Sequence, residues 1–267
     1  MSVNFLTHEE GTLAYEDHGG TGPLVLMTPG IGDLRAAYRF LAPGLVEAGY
    51  HVVSMDLRGH GDTSVGWRDY TPQAVGRDML AVVQHLAAGQ AILIGASMAA
   101  ASAVWAAASK PELVRALALV GPSLRDPQMS AYQRGMAAVL LGGPWKVSVW
   151  AMFYGSLYPA RKPDDLADHQ ARLRSNLSQP GRFAALKAFM GATKQECTQC
   201  MGKISTPVLV VMGDRDPDFK DSAAEARWMA DELHGELCMV AESGHYPHVD
   251  SAEDVLAAVL PFLKNHL

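Results

Sequence analysis

Apolar residues fall along this chain in short unbroken runs, separated by stretches with helical spacing. The runs are "PLVLMT" (23–28), "HVVSMD" (51–56), "AILIGA" (91–96), "RALALVG" (115–121), "PVLVVMG" (207–213) and "ELCMVAE" (236–242). Near-continuous apolar runs of this length predict strands buried on both faces, as in a parallel sheet. Between them the spacing predicts helices over about 36–48, 72–88, 98–109, 221–234 and 252–265. In "TPQAVGRDMLAVVQHL", Thr71 can cap, Pro72 suits the first turn, and Val75, Met79, Val82, Val83 and Leu86 share one face. Strand alternating with helix predicts an α/β fold, a mostly parallel sheet with helices on both faces.

The alternation breaks once. From 123 to 202 no strand-like run occurs. Met129, Met136, Leu140, Leu141, Trp145, Val149, Trp150, Phe153, Tyr154 and Tyr158 stand at helical spacing instead, followed by polar "DDLADHQARLRSNL". Residues 123–202 are therefore expected to form an all-helical cap inserted into a core of residues 1–122 and 203–267. The length, 267 residues, suits one core with such an insertion and is enough to bury it without staples. Acids and bases are scattered, with a net charge of −6 and no basic stretch, which argues against a nucleic-acid partner. Three cysteines, Cys197, Cys200 and Cys238, are unlike a disulfide framework and fit a reducing, cytoplasmic setting. The start lacks the basic-then-apolar pattern of a signal peptide, and no run reaches the roughly 18 apolar residues of a membrane span.

Candidate chemistry begins at "GASMA" (95–99), where the run "AILIGA" meets the next helix. A serine at such a junction is held on a sharp turn with its side chain above the sheet. Gly95 and Ala99 are small enough for strand and helix to approach. The N–H of Met98 opens the helix at the same spot, and a helix N-terminus favours developing negative charge. Ser97 therefore reads as a nucleophile; the bland alternative is an N-cap. A serine nucleophile needs a base, and the base an orienting acid. "GDRDPDF" follows the run ending at Gly213, and "SGHYPHVD" follows the last run, so Asp214, Asp216 or Asp218 and then His245 or His248 stand past strand ends. Ligands bind outside those ends in such sheets.

With "DLRGHGDTS" (56–64), "GDRD" and "SGHYPHVDSAEDVLAAVLPFL", the chain resembles α/β-hydrolase-fold serine hydrolases of the esterase and lactonase kind, over nearly its whole length. The resemblance implies Ser97 as nucleophile and His245 as base, since the motif is Gly-His before the final helix. It implies Asp216 as the acid, the fourth residue of G-x-x-D. It places a second oxyanion donor in "TPGIGDLR", the Ile31 N–H beside that of Met98. Thr28 and Pro29 stand before Gly30 where the family often has a histidine. No cofactor or metal is implied: Cys197 and Cys200 lack a second ligand pair, and no Gly-x-Gly-x-x-Gly opens a helix. The expected partner is a small, partly apolar, ester-like molecule, with neither nucleic acid nor membrane. Trp145, Trp150, Phe153 and Tyr154 are expected to line its pocket under the cap. The implied activity is carboxylic-ester hydrolysis, with lactonase, carbon–carbon hydrolase and perhydrolase as related options. Epoxide hydrolase and haloalkane dehalogenase are disfavoured, because those use an aspartate where Ser97 stands. A ligand sensor with an intact triad, acting by lid movement and partner binding, is the rival reading.

Overall fold

The computed structural model describes residues 2–128 and 130–266; Met1, Met129 and Leu267 lie outside them. Two strands precede the first apolar run, β1 (Val3–His8) and β2 (Gly11–Gly19). The six runs become β3 (Leu24–Thr28), β4 (His51–Met55), β5 (Ala91–Ala96), β6 (Val114–Val120), β7 (Val208–Gly213) and β8 (Glu236–Val240). They form one sheet in the order β1-β2-β4-β3-β5-β6-β7-β8. Strands β3 to β8 pair in parallel, and the hairpin of β1 and β2 adds an antiparallel edge. The chain leaves β3 toward one edge and returns through β5 toward the other. Their exits therefore flank the switch point where such sheets bind ligands.

The period of two along each strand divides the core. Leu24, Leu26, Leu93, Leu117 and Val210 face one side with the buried residues of α2 (Pro72–His85), α3 (Met98–Ser109) and α9 (Ser222–Glu232). Val25, Met27, Ile94, Ala118 and Val211 face the other, against α1 (Ala42–Glu47) and α11 (Ala252–Asn265), which follows the short α10 (Pro247–Asp250). Thr71 caps α2 as its position predicts: its Oγ accepts from the Ala74 N–H at 3.3 Å. The Asp-x-Arg-Gly turn after β4 is tied to the same helix. Buried Arg58 donates to both oxygens of buried Asp78 at 2.7 and 2.6 Å.

The stretch without strands holds α4 (Ala131–Leu140), α5 (Lys146–Ser156), α6 (Leu166–Leu177), α7 (Arg182–Gly191) and α8 (Gln195–Cys200). Helices α5 to α7 share a small apolar cluster of Trp150, Leu177, Phe183 and Leu186. Helix α4 buries no side chain. Helix α8 belongs with the core rather than the cap: it packs on α3, and Cys197 and Met201 lie in the core cluster on that face. Phe189 of α7 lies in the same cluster, so the last part of 123–202 packs on the α3 face of the sheet. No helix among the described residues is long and apolar enough to cross a membrane.

Candidate active site

Ser97 links β5 to α3 with φ 53° and ψ −121°, a conformation in which a non-glycine residue is strained. The turn is tight because Gly95 allows it: a methyl group there would lie 2.5 Å from the Ala99 carbonyl oxygen. The Ser97 backbone is anchored to the β6 side, donating to Val120 O at 3.0 Å and accepting from the Ser123 N–H at 3.1 Å. Met98 opens α3, so its N–H is among those a helix leaves without an intrahelical acceptor.

The loop after β3 meets this turn. A methyl on Gly30 would stand 3.0 Å from Ser97 Cβ and 2.6 Å from the Tyr246 hydroxyl. The next peptides are held at both ends. The Gly32 N–H donates to His60 Nε2 at 3.1 Å, while the Gly32 carbonyl accepts from Trp150 Nε1 at 3.2 Å. His60 Nδ1 donates to Arg58 O at 2.9 Å, which fixes the tautomer with Nε2 bare. Burial lowers the His60 pKa to about 4, so the ring stays a neutral acceptor near pH 7. Asp33 ends the loop, fully buried, with Leu34 N–H, Tyr154 Oη and His169 Nε2 within 2.8, 3.0 and 2.7 Å of its carboxylate. Burial would raise the Asp33 pKa, but the His169 charge and these hydrogen bonds outweigh it and hold it low. Ile31, between these anchors, packs on the cap cluster.

Asp216 and His245 come together past β7 and β8. His245 Nδ1 donates to Asp216 Oδ2 at 2.8 Å, and both residues are buried. The histidine loop is tied by Asp250, which accepts from Ser243 Oγ at 2.5 Å and from the Gly244 N–H at 2.8 Å. The His245 N–H donates to Leu157 O at the end of α5, at 2.9 Å. Gly121 places the histidine beside the β6 exit, since a methyl there would meet His245 O at 2.0 Å. Ser97 and His245 thus flank the same strand end. Burial opposes the charge on His245, yet Asp216, its hydrogen bond and Asp218 push the pKa up to about 9. No hydrogen bond joins Ser97 Oγ to His245 among the described residues. The ionic partner of Nε2 is Asp218 Oδ2, at 3.5 Å.

His248, the competing histidine, is buried against Tyr38 at 4.8 Å between ring centroids, and neither ring nitrogen has a hydrogen-bond partner among the described residues. Burial lowers its pKa to about 3. Asp214 is exposed at the mouth of a groove, and its N–H bonds Val240 O. The four aromatics expected as one pocket wall separate. Trp150 and Tyr154 are buried against the loop after β3, whereas Trp145 and Phe153 are 51% and 43% exposed. A helix shows only part of its circumference to a neighbour, and these two point from the other part. One group with metal-ligand atoms occurs among the described residues, Asp216, Asp218 and His245 within 4.8 Å. Within it, Asp216 Oδ2 and His245 Nδ1 are already hydrogen-bonded to each other at 2.8 Å. His60, Asp33 and Tyr246 lie within the quoted motifs without a role assigned to them there, and His169, inside α6, had no signal in the sequence.

The model of the alpha/beta hydrolase fold family matches residues 23–252. An esterase of Mycobacterium tuberculosis is 26% identical over 94% of this chain and 86% of its own length. A 2-(acetamidomethylene)succinate hydrolase of Mesorhizobium japonicum is 27% identical over 91% of this chain and 89% of its own. The solved structure of a thermophilic esterase from Thermogutta terrifontis superposes with TM-score 0.81 at 24% identity, covering 100% of both chains.

Proposed function

Because the chain belongs to the α/β hydrolase fold family, we propose that it is a serine hydrolase of the carboxylic-ester class, acting on a small, partly apolar substrate. The observation that carries this reading is the strained Ser97 at the head of α3, beside the Asp216–His245 pair. Ser97 Oγ attacks the carbonyl carbon. Its proton passes to His245 Nε2, while Asp216 keeps the other proton on Nδ1. The carbonyl oxygen becomes an anion facing the N–H groups of Met98 and Ile31 at the helix end and the β3 loop. His245 then protonates the leaving alcohol, and water attacks the acyl-enzyme with His245 again as base. No cofactor is needed for these steps. Relatives named as an esterase and a succinate-type hydrolase support a hydrolytic reaction on carbonyl compounds.

The test is labelling with a fluorophosphonate together with turnover of p-nitrophenyl acetate. Ser97→Ala should abolish labelling and lower turnover by several orders of magnitude, as for other members of such triads. Labelling that persists on another serine would overturn the assignment. A single slow turnover of the ester by the unaltered protein would favour the ligand-sensor reading instead.

A further inference from the structure

The segment Asp216-Pro217-Asp218 sets two carboxylates on one imidazole. Asp216 Oδ2 meets Nδ1 at 2.8 Å, and Asp218 Oδ2 faces Nε2 at 3.5 Å. The spacing comes from the loop itself. Asp216 Oδ1 accepts the Asp218 N–H at 2.9 Å, and the Phe219 N–H reaches Asp216 O at 3.4 Å. Pro217 between them has its φ fixed by its ring. The two acids differ in access: the Asp216 side chain is 0% exposed and that of Asp218 37%. Nε2 is the atom that must accept the Ser97 proton. While it donates a proton toward Asp218 it is not a base.

We propose that Asp218 is a positioning residue for proton transfer: its carboxylate pairs with the Nε2–H of the resting His245 imidazolium and so sets the pH below which Nε2 cannot take the proton of Ser97. The inference rests on the triad reading above. As pH rises through the His245 value the Nε2 proton passes to water, and the Asp218 carboxylate stays ionised beside the ring. Neutral imidazole remains, with Nδ1–H held by Asp216, and accepts the Ser97 proton as the Oγ–carbon bond forms. Only N–H and O–H bonds change before the attack, and no co-reactant is required.

The surroundings suit this pairing. Burial raises the Asp218 pKa, His245 lowers it, Asp216 raises it and Lys194 lowers it, leaving the acid above the ordinary carboxylate value. Lys194, at the head of α8, is nearly buried, and its ammonium lies 3.5 Å from Arg125 O. It faces Asp218 from the core helix layer. From α10 the neighbour of His245 is His248, held neutral by burial, and the adjoining Tyr246 phenol is pushed well above its ordinary value by burial. Asp216 and Asp218 are thus the carboxylates that charge His245, and among the described residues only Asp218 is in reach of Nε2.

The rate of fluorophosphonate labelling of Ser97 from pH 5 to 10 tests this, because it reports the basicity of Nε2 without a leaving alcohol. Asp218→Asn should move the acid limb down by at least one unit, making labelling at pH 6 about tenfold faster than in the unaltered chain. Asp218→Ser should do the same, and Asp218→Glu should keep the original limb. The Asp218 side chain makes no hydrogen bond to the fold among the described residues, so melting temperatures should stay close. A limb that stays in place in both Asn and Ser variants overturns the inference, whatever happens to the plateau. Failure of the triad reading looks different: Ser97→Ala would still be labelled.

Discussion

Asp214, Asp216 and Asp218 share one loop and differ in what each faces. Asp214 points to solvent, Asp216 is sealed against Nδ1, and Asp218 is half open beside Nε2. An orienting carboxylate keeps the imidazole in the tautomer that leaves Nε2 free, and its amide replacement presents an N–H where an acceptor is needed. Asp216→Asn is expected to lower ester turnover by about 10⁴, the loss typical of that replacement. Asp214→Asn should leave turnover within about twofold, since the side chain lies outside the Asp216–His245 pair. Steady-state kinetics on both variants decides it, and a larger loss in Asp214→Asn would reassign the acid. The G-x-x-D pattern pointed to Asp216, and the turn brings that residue to 2.8 Å from His245 Nδ1. The pattern could not show that Pro217 and the Asp218 N–H carry the next carboxylate round to the other ring nitrogen. That depends on a turn closed by side-chain hydrogen bonds.

Helix α5 and the loop after β3 act on each other across the cap–core joint. Trp150 donates to Gly32 O, Tyr154 to Asp33, and α6 adds His169 to the same carboxylate. The loop that presents Ile31 is therefore set by the cap as well as by β3. Gly32, at φ +74°, has no room for a side chain: a methyl there would stand 2.3 Å from the Trp150 ring. Trp150→Ala is expected to cost about 3–5 kcal/mol of stability, as large buried aromatics do. It should also lower turnover about tenfold if the loop presents the Ile31 N–H as proposed, since that loop loses its Trp150 anchor. Phe153→Ala, at a half-exposed position, should leave the melting temperature unchanged and alter neither acetate nor butyrate turnover. Thermal melts with both esters separate the two. If Phe153→Ala changed the acetate-to-butyrate ratio tenfold, the pocket would extend to the outer face of α5. The strands from β3 to β8 were legible because a sheet buried on both faces leaves continuous apolar runs. Strands β1 and β2 were not, since a half-exposed edge hairpin keeps Phe5 at 56% exposure beside polar neighbours and produces no such run. The Asp33–His169 contact joins residues 136 apart, and no local spacing encodes it.

At the scale of the whole molecule, three of the four buried histidines among the described residues, His60, His245 and His248, bind protons in opposed ways, and this shapes stability against pH. His245 is raised to about 9, so its pairing stabilises the fold fully below the unfolded value near 6.5 and fades as pH climbs through 9. His60 and His248 are lowered to about 4 and 3. The native state keeps both neutral while the unfolded chain protonates them below about 6.5, so stability falls as pH drops from there. Each contributes a slope of about 1.4 kcal/mol per pH unit in that window. The two are not equivalent in purpose. His60 accepts from the Gly32 N–H, whereas neither ring nitrogen of His248 has a partner among the described residues. A buried polar group without a partner carries its desolvation cost, and an apolar residue of similar size removes it. His248→Leu should therefore match or exceed the parent melting temperature at pH 7.5. Between pH 6 and 4 its stability should decline less steeply, by about one proton's worth of slope. Urea denaturation at half-unit steps of pH measures both. A variant that loses stability at pH 7.5 and keeps the parent slope would mean that His248 serves the fold through its ring nitrogens.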